Sequence, residues 1–145
     1  METRQLEASE LENAFELVWR TFLEFEAPDY EAKGVETFRA CLEDKDFVGR
    51  LTVYGAYDGG ALIGVAATRN DGNHLAMFFV RRDHHRRGVG RQLFEHIKPL
   101  ASSDRITINS SPYAVGVYRR LGFKETDSEK QSDGIRFTPM EYKIR

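Results

Sequence analysis

The sequence predicts an α/β domain built on one mixed sheet, in the order β-α-α-β-β-β-α-β-α-β-β. Three observations lead there. Apolar runs of strand length recur between residues 51 and 80, separated by Gly-Gly and Asp-Gly turns. Stretches on either side of that block carry apolar residues at helical spacing. Strand runs and helix runs interleave, which lays helices on a sheet rather than in a separate bundle. The 145 residues suit one domain, residues 1–145, with a core that needs no metal or disulfide staple. With 41% hydrophobic and 30% charged residues, disordered, collagen-like and low-complexity chains are excluded. No apolar run approaches the roughly 18 residues of a membrane span. The start, METRQLEASE, lacks the apolar core of a secretory signal. Cys41, the single cysteine, cannot form an internal disulfide, and a cytoplasmic location is expected.

Each element has its own signal. A short strand is expected at residues 3–7. A helix follows from a capping box, Ser9 as N-cap and Glu12 three residues on. Leu11, Phe15, Val18, Phe22 and Phe25 form its apolar stripe, and Ala27-Pro28-Asp29 ends it. A second helix is expected over 30–42, with Val35, Phe38 and Leu42 facing inward and Gly34 weakening it. Residues 51–58 and 61–70 form a hairpin about Gly59-Gly60, and Asp71-Gly72 leads into HLAMFFV at 74–80, completing an antiparallel meander. HLAMFFV is apolar nearly throughout, so it should be central and covered on both faces. Val89, Leu93, Ile97 and Leu100 mark the next helix, which Pro99 ends or kinks near Ile97. Residues 105–109 read as a strand. Ser111 as N-cap and Pro112 at the first helical position open a helix that Gly122 stops after Leu121. Residues 123–129 and 135–144 close the chain as a hairpin, with Pro139 at an edge or a bulge.

The net charge of −2 hides an asymmetry. Residues 1–47 hold 13 acidic and 5 basic residues, and the remainder is net positive. RRDHHRRGVGR, residues 81–91, carries five Arg and one Asp. Such a local concentration points to one anionic ligand rather than to a basic face along the whole protein. The loop joins an apolar strand to a helix. Its glycines let backbone N–H groups approach a phosphate, and the helix N-terminus favours the anion. Arg86, Arg87 and Arg91 can add charge-assisted hydrogen bonds. A Walker loop is excluded, because Gly90 is followed by Arg91-Gln92. A dinucleotide fingerprint is excluded as well, because Leu93 stands where a third Gly or Ala belongs and the strand comes from a meander.

On these residues the chain resembles the GNAT N-acetyltransferase superfamily, in particular bacterial stand-alone members of unassigned substrate. VRRDHHRRGVGRQLFEHI, residues 80–97, is similar to the family's acetyl-CoA motif, Gln/Arg-x-x-Gly-x-Gly/Ala. His85, Gly88 and Gly90 take its signature positions, with His85 replacing the usual Gln or Arg. NSSPYAVGVYRRLGF, residues 109–123, resembles the second motif, Asn…Tyr-x-x-x-Gly-Phe. The resemblance implies a mostly antiparallel sheet with splayed central strands and transfer of an acetyl group from acetyl-CoA to a primary amine, on a small molecule or a protein. It implies that the backbone of Phe79, Val80 and Arg81 pairs with the pantetheine arm like an added strand. Amides of Arg86, Arg87, Gly88, Val89, Gly90 and Arg91 would hold the pyrophosphate. Asn109 would hydrogen-bond the pantetheine or the acetyl end, and Tyr118 would protonate the leaving sulfur. Dimers are common in the family, and nothing in the sequence fixes an oligomeric state.

Read without the resemblance, Tyr118 is a core residue of an apolar helix, Asn109 a turn or capping residue, and Gly88 and Gly90 plain turn glycines. No metal is expected: there is no HExxH and no clustered set of His, Cys or carboxylates. The general base is open. The fourth strand, 74–80, carries no carboxylate, which leaves His74, Glu24, Glu26 or a water relay. Glu24, Glu26, Asp29 and Glu31 offer either a wall that attracts a cationic amine or an ordinarily solvated helix. Two rivals stand beside the enzyme: a non-catalytic acyl-CoA-sensing module of the same fold, and an RNA-binding domain using residues 81–91. The second lacks stacking aromatics beside its basic patch.

Overall fold

A computed structural model describes residues 1–144. Strand β1 (Glu2–Gln5) and helix α1 (Leu11–Phe25) open the chain, followed by α2 (Ala32–Glu43) and a short α3 (Lys45–Gly49). Strands β2 (Thr52–Asp58), β3 (Ala61–Arg69) and β4 (His74–Val80) form the expected antiparallel meander. Helix α4 (Val89–Ile97), β5 (Arg105–Ser110), α5 (Val115–Leu121), β6 (Lys124–Glu125), β7 (Lys130–Ser132) and β8 (Ile135–Lys143) complete it. The strands lie in the order β1-β2-β3-β4-β5-β8-β6, with β7 also on β8. All pairings are antiparallel except β4 with β5. Helices cover both faces. One core layer packs α1 and α2 on Val53, Val65, Met77 and Phe79. The other packs α4 and α5 on Ile63, Leu75, Ile106 and Ile108.

Several local expectations shift. The capping box forms one turn early, between Glu7 and Glu10, with Ser9 inside a 3-10 turn. The cause is long-range: Arg4 from β1 donates to both Glu10 carboxylate oxygens (2.9 and 2.6 Å), and the Tyr57 hydroxyl donates to Oε2 (3.1 Å). Helix α1 buries Ala14, Leu17, Val18, Thr21 and Phe22, while Leu11, Phe15 and Phe25 stay half-exposed. Gly34 does not weaken α2. It is buried where the Gly134 carbonyl comes so close that any side chain would collide with it. Helix α3 follows Asp44, whose carboxylate accepts from the N–H groups of Asp46 and Phe47 (2.9 and 3.2 Å). Helix α5 begins later than Pro112; Ser111 Oγ accepts from Ala114 N–H (3.3 Å) and so caps the turn before it. Pro139 sits inside β8, and its carbonyl accepts from Thr126 N–H just beyond β6, so the missing donor falls where that short strand stops. The strand covered on both faces is β3, buried from Leu62 to Thr68; β4 alternates between buried and half-buried residues.

One irregularity in β4 builds the site. Its register against β3 slips at Ala76, opposite Ala67 and Thr68. A bulge bends its strand and increases its twist. Pairing with β5 is confined to His74–Thr107 and Leu75–Ile108 and stops at that bulge. Beyond it the two central strands part. No helix among the described residues is long and apolar enough to cross a membrane.

Candidate active site

The parted strands open two cavities. The first, of about 460 Å³, lies between the β4 end, the 81–91 loop and α5, and is lined by Val80, Arg86, Gly88, Gly90 and Leu121 among others. The second, of about 300 Å³, lies between α1, α2, β5 and the β7–β8 turn, with Phe22, Phe38, Ile108, Asn109 and Phe137 in its wall. Glu26, Phe78, Phe79 and Tyr118 line both.

The loop is shaped to present backbone donors to the first cavity. Arg86 and Gly88 both adopt left-handed φ, +64° and +79°. For Gly88 that conformation is free of Cβ strain, and it turns the chain abruptly into α4. Gly88 offers no side-chain cap, so the first N–H groups of α4, on Val89, Gly90 and Arg91, have no intrahelical partner. Val89, Gly90 and Arg91 all line the cavity. A side chain on Gly90 would press against the Phe78 ring at 3.3 Å. Arg91 is steered across the cavity mouth by its Nη2, which donates to the Arg120 carbonyl (3.0 Å).

Not every loop residue reaches the cavity. Arg87 is exposed and lies outside the lining. The Arg81 side chain turns to the opposite face and pairs with Asp83 (2.8 Å). Its N–H donates to the Ile63 carbonyl (2.8 Å), so it cannot pair with an added strand. Backbone groups alternate sides along a strand, which leaves Val80 facing the gap. The Val80 carbonyl is bonded to His85 Nε2 (2.7 Å), and the His85 ring leans on Phe25 with centroids 4.8 Å apart. The signature histidine thus ties the loop back to its own strand. Asn109, exposed on β5, lines the second cavity and not the first.

Tyr118 is 5% exposed and packs its ring against Phe78 and Phe123. Burial pushes its hydroxyl well above the usual tyrosine range, and the nearby Glu26 carboxylate adds to the effect. The hydroxyl therefore stays protonated. Glu26 follows the last residue of α1, and its side chain makes no hydrogen bond or ion pair among the described residues. Burial raises its carboxyl to about 7, with Asp29 reinforcing the shift. Of the four acidic residues considered as a wall, Glu26 alone lines either cavity.

The other base candidates lie elsewhere. His74 stands at the far end of β4, its Nδ1 bonded to Thr107 Oγ1 (2.8 Å), and lines neither cavity. Burial, with Arg69 nearby, lowers it to about 4, so at neutral pH it is an uncharged structural residue. Glu24 faces Arg82 (3.9 Å) on the outer surface. No group of three or more metal-ligating side chains converges among the described residues.

A model of the acetyltransferase (GNAT) domain matches residues 26–144. The peptidyl-lysine N-acetyltransferase YjaB of Salmonella typhimurium is 33% identical over 63 residues, a match that spans 43% of either chain. Three solved structures share the fold at low identity. A GCN5-related N-acetyltransferase from Rhodopseudomonas palustris superposes with a TM-score of 0.83 at 18% identity, covering 98% of this chain and 94% of its own. YjaB of Escherichia coli in its apo form gives 0.75 at 20%, covering 97% and 96%. The PaiA N-acetyltransferase of Thermoplasma acidophilum, solved with coenzyme A, gives 0.71 at 19%, covering 98% of both. With the family model spanning most of the sequence and the parted β4 and β5 framing the site, this chain belongs to the GNAT acetyltransferase family.

Proposed function

We propose that the protein transfers an acetyl group from acetyl-CoA to a primary amine by direct attack on the thioester. One observation carries this reading: an uncapped helix start, aimed into a cavity that also holds the Tyr118 hydroxyl. The amides of Val89, Gly90 and Arg91 hold the diphosphate with the helix dipole behind them, and Arg86 and Arg91 add charge at the mouth. The pantetheine arm runs along the open edge of β4 at Val80, toward Phe78 and Tyr118. Asn109, across the gap on β5, serves the acetyl end from the other side.

The chemistry needs a neutral amine, an oxyanion donor and a proton for sulfur. Alkylammonium groups have pKa values of about 10, so a proton must be removed before attack. The backbone N–H groups exposed where β4 leaves β5 are the available oxyanion donors. The leaving thiolate, whose parent thiol has a pKa of about 8.5, takes its proton from Tyr118. Isothermal titration with acetyl-CoA, and thiol release on adding amines, test the reading. Tight binding with amine-dependent release is expected. Binding without release from any amine makes the protein an acyl-CoA sensor.

A further inference from the structure

The second cavity has walls that select an occupant. Resting on the reading above, it is where the acceptor enters. Phe38, Met77, Ile108 and Phe137 stand in its wall beside Thr37 and Asn109, and among the described residues no Lys or Arg lines it. Phe22 and Phe38 stack with centroids 4.1 Å apart, so the half-buried Phe38 ring faces the cavity and the buried Phe22 backs it. The cavity's outer side is partly open, and α2 and the β7–β8 turn are tied together beside it. Thr37 Oγ1 donates to the Asp133 carbonyl (2.8 Å), Arg136 Nη1 to the Asp29 carbonyl (3.4 Å), and Gly34 meets Gly134 backbone to backbone. The volume of about 300 Å³ is at the small end of small-molecule sites. At its inner end, where it meets the cofactor cavity, stands the unpaired Glu26 beside Tyr118.

We propose that this cavity takes a compact primary amine with one apolar or aromatic body, and that Glu26 receives the amine's first proton. The ammonium enters against the Glu26 carboxylate while its apolar body packs on the Phe38 ring. The ammonium gives one proton to Glu26. The nitrogen lone pair then forms the N–C bond to the thioester carbonyl, the C–S bond breaks, and the second proton lost by nitrogen ends on sulfur through Tyr118. Glu26 passes its proton to solvent, so one proton is released for each amide and thiol formed. The groups facing Glu26 are Asp29 and Tyr30 on its own turn, with Arg136 beyond Tyr30, and Tyr118 from α5; Asp133 lies farther along the second cavity, and His84, His85, Arg86, Arg91 and Arg120 farther along the first. No ion pair joins Glu26 to any of them among the described residues, so the burial of its carboxyl goes unopposed. A carboxyl tuned to about 7 accepts a proton from an ammonium more readily than an ordinary one. Besides Glu26, a second ammonium on the acceptor would find only Asp133 among the described lining carboxylates, exposed in the β7–β8 turn, where a solvated ion pair contributes little. A peptide backbone would meet the tie between α2 and the β7–β8 turn.

The experiment compares phenethylamine, spermidine and an N-blocked lysine tripeptide as acceptors, with acetyl-CoA, thiol release and product mass as readouts. The kcat/KM for phenethylamine should exceed the other two at least about tenfold. Glu26→Gln should lower kcat about 100-fold and remove the limb of the pH profile near 7, while Glu26→Asp keeps that limb at reduced rate. Preference for the peptide or for spermidine would overturn the acceptor class and leave acetyl transfer standing. Full turnover by Glu26→Gln would overturn its role. If acetyl-CoA binds but no amine releases thiol, acetyl transfer itself fails, and this proposal with it.

Discussion

The two cavities that meet at Tyr118 are built in opposite ways. The groups proposed to hold the cofactor's diphosphate are local: one strand end, one loop and one helix start between Val80 and Arg91 supply them. The acceptor cavity is assembled from Phe22, Glu26, Phe38, Asn109, Asp133 and Phe137, drawn from both ends of the chain. In the proposed function the first cavity binds through backbone amides and cations, the second through rings and the Glu26 carboxylate. A backbone-built site accepts the same diphosphate whatever the surrounding side chains, whereas a side-chain-built site can change its acceptor by substitution.

That contrast can be broken by mutation, and the largest effect belongs to Tyr118, one of the four residues both cavities share. Tyr118→Phe should lower kcat about 100-fold or more, while the acetyl-CoA Kd measured by titration moves less than about threefold. An equal loss of binding would make Tyr118 a wall rather than a proton donor. Next comes Gly34→Ala, which forces a methyl into the Gly134 carbonyl and levers the β7–β8 turn off α2. It should destabilise the fold by about 2–3 kcal/mol in denaturant unfolding. It should also raise the acceptor KM and leave acetyl-CoA binding intact. Gly88→Ala acts on the other cavity alone. A left-handed alanine costs about 1–2 kcal/mol, so the acetyl-CoA Kd should weaken by about tenfold with the acceptor KM unchanged.

The smallest effect separates stability from activity. The Glu26 carboxyl titrates at about 7 in the fold, against an ordinary value of about 4.5. Between those values the folded state holds more protons than the unfolded one, so stability falls as pH rises through that window. Glu26→Gln is free of this cost. It should be more stable than the natural protein by about 1–2 kcal/mol at pH 8, with the difference closing below pH 4.5. Thermal melts at the two pH values check it.

Legibility in the sequence follows the same division. The meander, the α4 stripe and the Gly122 stop were readable because turn glycines and apolar periods are local signals. The cofactor loop was readable for the same reason, although contiguity overstated it. Arg81 and Arg87 share the segment, yet the strand's alternation and the loop's turns send them elsewhere. Long-range ties were not readable. The α1 cap moved because Arg4 and Tyr57 hold Glu10, a contact spanning β1 and β2. Gly34 looked like a weak point because its partner, Gly134, lies a hundred residues away. Helix α3 has too few residues to show a period, and Asp44 followed by Phe47 was its one available signal. Glu26 could be listed but not ranked, because nothing local says that α1 ends against a cavity. His74 shared a strand with the site, but at the end where β4 and β5 are still paired.

The central claim is that the start of α4 grips the diphosphate of acetyl-CoA and so aims its sulfur at Tyr118. A crystal structure of the protein with acetyl-CoA tests it most directly. The account predicts diphosphate oxygens about 3 Å from the amide nitrogens of Val89 and Gly90. It also predicts the sulfur within about 4 Å of the Tyr118 hydroxyl and the acetyl carbon facing Glu26. A diphosphate bound elsewhere, or a sulfur on the far side of Phe78 from Tyr118, would contradict it.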